Sequence, residues 1–239
     1  MNEETHDLIR GKGSFKLAMR GLQALLRYDC DVLLSFTPMK PNLHEVPDII
    51  DFAVKNEIPV IQFPPLAYAG RAKENWEKLA LSTEERLWFW KIVESRSNEL
   101  DLLADCFSID INRRRPFKCS IGSLPRIDPK GNVYPCQCFH SGYILGNAYE
   151  DGLSKILNKL KDVQLEVFQR IERIPECANC HWKNYCGGGC AGSAFNKNGT
   201  IFKPESCEVR RIWIEMKFDE IVRSILGSDC QSSSHLSQG

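Results

Sequence analysis

The chain has no excess of either charge. Its 31 Lys and Arg residues balance 31 Asp and Glu, which removes the global field that nucleic acid or an anionic membrane surface would answer to. No apolar run approaches the roughly 20 residues that span a bilayer. The N-terminal stretch Met1-Asn2-Glu3-Glu4-Thr5-His6 is polar and lacks the apolar core of a signal peptide. No internal repeat, nucleotide-binding loop or nucleophile motif is present. These absences exclude the simplest readings as a secreted, membrane-spanning or nucleic-acid-binding protein and point to the cytoplasm.

Cysteine is what the chain has in quantity. Eleven cysteines in a reducing compartment read as metal ligands rather than as a disulfide framework. Seven of them form a ladder: Cys119-x11-Gly131-x4-Cys136, then Cys177-x2-Cys180-x5-Cys186-x3-Cys190, then Cys207. Soft thiolate sites select iron–sulfur clusters, zinc or copper(I). Seven ligands exceed one tetrahedral site and nearly fill two. Gly187-Gly188-Gly189 lets the backbone turn sharply between Cys186 and Cys190.

The ladder resembles the SPASM domain, the C-terminal extension of many radical S-adenosylmethionine (SAM) enzymes, and every interval fits. The resemblance implies two auxiliary [4Fe–4S] clusters. It assigns Cys119, Cys136 and Cys190 to auxiliary cluster I, and Cys177, Cys180, Cys186 and Cys207 to auxiliary cluster II. Cluster I then has three ladder ligands. Cys138, two residues past Cys136 and on the same face of a strand, is the nearest spare thiol for a fourth; an open iron, substrate or a non-cysteine group are the alternatives. Of the remaining thiols, Cys30 and Cys106 read as small buried apolar residues, and Cys230 as a free thiol in a tail.

The first hundred residues alternate differently. A helix from Ser14 carries Phe15, Ala18, Met19, Leu22, Leu25 and Leu26 on one face, with Ser14 as its cap. Val32–Phe36 reads as a buried strand. Asn42 or a neighbour opens a second helix, Val60–Phe63 is the next strand, and Ser82-Thr83-Glu84-Glu85 is a capping box. Leu102–Phe107 is a third strand. This α-β-α-β-α-β order is that of parallel βα units. It starts on a helix and supplies three strands, half of the six in a radical SAM barrel. His6–Phe15 resembles the segment after the third barrel strand.

The expected fold is therefore α/β. Residues 1–107 form the C-terminal half of a partial (β/α)6 TIM-type barrel, residues 108–226 a small cysteine-rich α+β SPASM domain, and 227–239 a disordered tail. Further along, Arg126–Tyr134 reads as a hairpin turned by Pro129 and Gly131, residues 152–173 as an amphipathic helix, and Cys207 as the opening of a closing helix. His140 and His181 lie beside cysteines, but the ladder already supplies the ligands. Arg113-Arg114-Arg115 reads as a solvated patch, with contact to an acidic leader peptide as the alternative. Ser35, Thr37 and Gln62 fall at the C-terminal ends of strands, where barrel active sites form.

The family's Cys-x3-Cys-x2-Cys motif, which holds the SAM-binding cluster, is absent from this sequence. Family members modify peptide or protein substrates. The resemblance thus implies a peptide- or protein-modifying oxidoreductase whose SAM chemistry needs a partner carrying the first barrel half. The alternatives are a non-catalytic, cluster-bearing electron relay or interaction module, from a truncated or split gene product, and a zinc-binding structural protein.

Overall fold

The computed structural model describes residues 2–104, 119, 121–140 and 142–226. The chain divides into two compact units, Met1–Ser108 and Ile109–Gly239.

The first unit opens on two helices, α1 (Glu3–Arg10) and α2 (Ser14–Arg27). Ser14 was the expected cap of α2, but Gly13 occupies that position with φ 82° and Ser14 is the first helical residue. The capping is done from α1. The Asp7 carboxylate accepts from the Phe15 amide at 2.8 Å, the Ser14 hydroxyl at 3.2 Å and the Gly13 amide. These bonds, Phe15 first, hold Asp7 below the usual carboxylate range. Acidic side chains suit a helix N-terminus because they neutralise its unpaired N–H groups.

Strands β1 (Leu33–Ser35), β2 (Val60–Phe63) and β3 (Asp101–Ala104) form a parallel sheet in the order β1-β2-β3, with Leu34 opposite Ile61 and Ile61 opposite Leu102. Helix α3 (Val46–Lys55) connects β1 to β2; α4 (Gly70–Glu74), α5 (Trp76–Leu79) and α6 (Thr83–Ser95) connect β2 to β3. The capping box at Ser82 is formed: its hydroxyl accepts from the Glu85 amide at 3.2 Å, and the Glu85 carboxylate accepts from the Ser82 amide at 2.7 Å. The core joins Val46, Ile49, Ile50 and Ala53 of α3 to Ile61 and Phe63 of β2 and to Phe89 and Val93 of α6. The Phe63 and Phe89 rings meet edge-on at 5.3 Å.

Two sequence expectations change here. The strand at 32–36 is only partly buried: Val32 belongs to the core, but Leu33 is 49% exposed. It is a sheet edge, paired on one side to β2, whereas β2 is central and buries Ile61 and Phe63. Cys30 is exposed rather than buried. It follows the C-terminal turn of α2, outside the apolar stripe, so nothing covers it. Cys106 and the C-terminal part of the third expected strand lie outside the described residues, as does the expected tail from 227.

In the second unit β4 (Arg126–Ile127), β5 (Asn132–Tyr134) and β6 (Gly146–Asn147) form an antiparallel sheet. The β4–β5 hairpin pairs Arg126 with Tyr134. Asp128 organises its turn, accepting from the Lys130 amide at 2.9 Å, from the Asn132 amide and side chain at 3.0 Å each, and from the Tyr134 hydroxyl at 3.2 Å. Helix α7 (Leu153–Gln169) lays Ile156, Leu160, Val163 and Val167 into the core beside Ile121, Val133, Phe139 and Leu145. The short helices α8 (Pro175–Ala178) and α9 (Lys183–Cys186) follow, then α10 (Ala191–Asn198) and α11 (Cys207–Leu226). Among the described residues no helix is long and apolar enough to cross a membrane.

The burial pattern sets an expectation for stability. Ile50 is fully buried and Leu17 is 66% exposed. Ile50→Ala should cost about 2–5 kcal/mol, and Leu17→Ala should stay within about 0.5 kcal/mol, in urea unfolding followed by circular dichroism.

Candidate metal centre

Each ladder cysteine is positioned by a turn or a helix end. Cys119 precedes β4, and Cys136 follows β5. Cys177 lies in α8 and Cys180 just beyond it, the Cys180 amide donating to the Cys177 carbonyl at 3.1 Å. This one-turn loop sets two thiols side by side. Cys186 closes α9. Gly187, Gly188 and Gly189 follow, with φ of 61°, 71° and 74°. Three successive left-handed residues suit glycine alone, and they carry the chain round to Cys190. That residue caps α10, its Sγ accepting from the Ser193 amide at 3.5 Å. Cys207 is the first residue of α11.

The thiols bear on one another in two sets. Burial pushes the Cys119 thiol up from its ordinary value, and the sulfurs of Cys190 and Cys136 push it further. Burial likewise pushes Cys177 up to about 11, aided by Cys186, Cys207 and Cys180. Cys207 is raised by burial and then by Cys186 and Cys180. Electrostatic influence thus runs among Cys119, Cys136 and Cys190, and among Cys177, Cys180, Cys186 and Cys207. None of the nine described cysteines is in a disulfide. Among the described residues no group of three or more His, Cys, Asp or Glu side chains is arranged to hold a metal ion.

Cys138 lies in a turn, not on a strand as its sequence position suggested. It still reaches Cys136: hydrogen bonding from its side chain, more than any other contact, holds the Cys136 thiol below its ordinary value. The turn is clamped against α10. Asn196 donates from Nδ2 to the Cys138 carbonyl at 2.8 Å and accepts from the His140 amide at 3.2 Å. A Cβ on Gly192 would sit 2.6 Å from the Cys138 carbonyl atoms, so only glycine permits this approach.

Sequence reasoning missed two buried arginines. Arg170, in the 3-10 turn after α7, is fully buried, and Arg210 of α11 is 2% exposed. Arg170 donates from Nη1 to the Ile201 carbonyl at 2.9 Å and from Nη2 to the Gly189 carbonyl. The Arg210 guanidinium lies where a Cβ of Gly189 would be. A signal existed in the sequence. Arg170 continues the apolar face of Val163 and Val167 at helical spacing, and Arg210 shares a face with Trp213 and Ile214.

The other sequence candidates are placed less centrally. His140 and His181 are exposed. Trp182 and Tyr185 pack on Phe218, at 4.7 and 5.3 Å between ring centroids. Tyr134 is covered by the Arg126 guanidinium at 3.8 Å. In the first unit Ser35 and Thr37 line a cavity of about 110 Å3 with His6, Arg10 and Glu45; Gln62 is exposed and outside it. Arg113–Arg115 and Cys230 lie outside the described residues.

Residues 119–181 match the sequence profile of SPASM, an iron–sulfur cluster-binding domain. The chain resembles radical SAM/SPASM proteins. It is 25% identical over 210 residues to the mycofactocin maturase MftC of Mycolicibacterium smegmatis, covering 81% of this chain and 51% of that protein. It is 25% identical over 203 residues to the antilisterial bacteriocin subtilosin biosynthesis protein AlbA of Bacillus subtilis, covering 83% and 44%. Fe-coproporphyrin III synthase of Methanosarcina barkeri is 27% identical over 220 residues, covering 77% and 54%. The chain therefore spans about half the length of these curated relatives. Among solved structures it superposes on native anSMEcpe with bound AdoMet at a TM-score of 0.62 and 17% identity, covering 95% of this chain and 66% of that one. A second anSMEcpe structure, with AdoMet and the Cp18Cys peptide, gives 0.61 at 17%, covering 93% and 67%. At that identity the likeness speaks to fold alone.

Two outcomes follow for the SPASM region. Gly192→Ala should lower thermal stability by about 1–3 kcal/mol, the usual cost of overpacking, because the 136–140 turn has backbone, not a flexible side chain, at the point of collision. In the metal-free chain the thiolate is the nucleophile. Alkylation of Cys136, whose thiol is lowered, should level off at lower pH than that of Cys177, which should keep rising toward about pH 11. Mass-spectrometric alkylation rates against pH check this; the reverse order would contradict the electrostatics described.

Proposed function

We propose that this chain binds two auxiliary [4Fe–4S] clusters and supplies the C-terminal half of a peptide- or protein-modifying radical SAM/SPASM enzyme. Cys119, Cys136 and Cys190 would hold cluster I, with its fourth position taken by Cys138 or left to substrate or a non-cysteine group. Cys177, Cys180, Cys186 and Cys207 would hold cluster II. The observation that supports this reading is the match of residues 119–181 to an iron–sulfur cluster-binding domain, together with the mutual electrostatic influence of the ladder thiols. The donor chemistry fits: soft sulfur, free thiols, and buried cations beside them. When bound, such clusters supply electron transfer or hold a substrate by an open iron.

The three parallel strands β1, β2 and β3 are read as the second half of a (β/α)6 barrel, followed by a cysteine-rich α+β SPASM domain. The cavity at the C-terminal end of β1 lies where such barrels bind ligands. The relatives' names, a maturase and a bacteriocin biosynthesis protein, support a peptide substrate, and AdoMet in anSMEcpe supports SAM as the co-substrate. This sequence carries no Cys-x3-Cys-x2-Cys, so residues outside it must furnish the SAM-binding cluster. The same absence favours one second reading for the chain by itself, a cluster-bearing electron relay. The proposed location is the cytoplasm, where thiols stay reduced.

Anaerobically purified protein should be brown, with about eight irons and eight sulfides per chain. Cys180→Ala should lose iron and unfold the SPASM region, while Cys30→Ala should change neither. A colourless protein with stoichiometric zinc would overturn the reading. The loaded chain alone should leave SAM intact under dithionite, and release 5′-deoxyadenosine only when mixed with a polypeptide carrying the missing motif. Release by the chain alone would reassign the chemistry to a cluster held here.

A further inference from the structure

We infer that Arg170, with Arg210 beside it, is a built-in counter-charge to the two thiolate sets, a positioning residue that raises the reduction potential of the clusters they hold. This rests on the two-cluster reading above.

The argument starts from burial. Arg170 is fully buried, and a guanidinium cannot shed its proton in a protein. A buried charge is tolerated when an opposite charge answers it. Among the described residues the hydrogen-bond acceptors of Arg170 are neutral, the carbonyls of Ile201 and Gly189, and its Nε has none. Among the described residues no carboxylate is paired with it. The acidic groups that bear on it are sulfurs: Cys190 and Cys119 of the first set and Cys177 of the second. Those thiols ionise when metal binds, so the charge balance around Arg170 closes only in the loaded protein.

The second cation strengthens the case. Arg210 is buried against the same glycine turn and repels Arg170. It also bears on Cys207, from the second set. Two like charges side by side in an apolar interior are unfavourable unless their surroundings are strongly anionic. The turn between Cys186 and Cys190 is thus built around these cations: its glycines open the space for both guanidinium groups, and its Gly189 carbonyl fastens Arg170.

The consequence is electrostatic. Reduction adds one electron to a cluster, drawn from an external low-potential donor such as dithionite, with no proton taken up. The cluster becomes more negative by one charge. A fixed cation stabilises the reduced form more than the oxidised form, so the potential rises. A purely structural role, clamping residues 189 and 201 together, would leave the potential where it is.

The test uses the full chain, reconstituted anaerobically and titrated with dithionite while the reduced clusters are followed by electron paramagnetic resonance. Arg170→Gln keeps hydrogen-bonding capacity without charge. It should lower the reduced-to-oxidised ratio at a fixed poise by tenfold or more, about 59 mV for a one-electron couple. Arg170→Lys should retain most of the wild-type potential. Arg211→Gln, which removes an exposed charge near Cys207, should move it little because water screens it. A loaded Arg170→Gln protein with unchanged potential would overturn the inference. Loading by the Lys variant but not the Gln variant would support it, since charge is then the requirement. If neither Arg170 variant loads iron, Arg210→Gln decides: a negative shift supports the counter-charge and no shift overturns it. A wild-type chain without clusters would instead sink the two-cluster reading itself.

Discussion

On the two-cluster reading, anionic sulfur has to be kept in a small apolar domain, and that requirement would organise the second unit. Burial alone pushes Cys119, Cys177 and Cys207 toward the neutral thiol, and neighbouring sulfurs push the same way. Binding a soft metal requires the opposite, the thiolate. The fold answers with positive charge at short range. Arg170 and Arg210 are buried among the sulfurs, and Cys190 and Cys207 sit at the N-terminal ends of α10 and α11, where unpaired N–H groups favour an anion. The glycine turn follows from the same need, because a side chain at 189 would strike the Arg210 guanidinium.

The first unit is governed by a different constraint. Parallel strands are ordinarily covered and continued on both sides. Here β2 is covered and central, but β1 and β3 each pair on one side among the described residues, and Leu33 and Leu103 are about half exposed. A row of unpaired backbone groups along a strand edge invites another strand. Such an edge is what the proposed half-barrel would leave, and the chain spans about half the length of the curated relatives it matches.

Sequence legibility tracked how local each determinant was. The capping box at Ser82, the hairpin between Arg126 and Tyr134 and the helix from Cys207 were all readable, because each depends on residues a few positions apart. The sulfur ladder was readable because thiols at fixed spacing serve few purposes. Three things were not. The exposure of Leu33 and Cys30 depends on what the edge strand lacks beside it, which periodicity does not encode. Asp7 capping α2 across the α1–α2 turn is a contact between two helices, and the Ser14 signal concealed it. Cys138 was assigned to a strand because alternation after Val133 and Tyr134 was carried too far; Pro135, which offers no backbone donor, ends the ladder there.

Arg170 marks the more general boundary. Charged residues belong on the polar face of an amphipathic helix, and reading α7 by hydrophobic period alone skips a cation at the end of its buried face. Had the exception been followed, it would have asked for a buried anion within reach. Carboxylates stand nearby in sequence at Glu166 and Glu172, but the acidic groups that bear on Arg170 in the fold are cysteines. The misplaced charge and the sulfur ladder are thus two halves of one electrostatic arrangement, and each explains why the other can be buried.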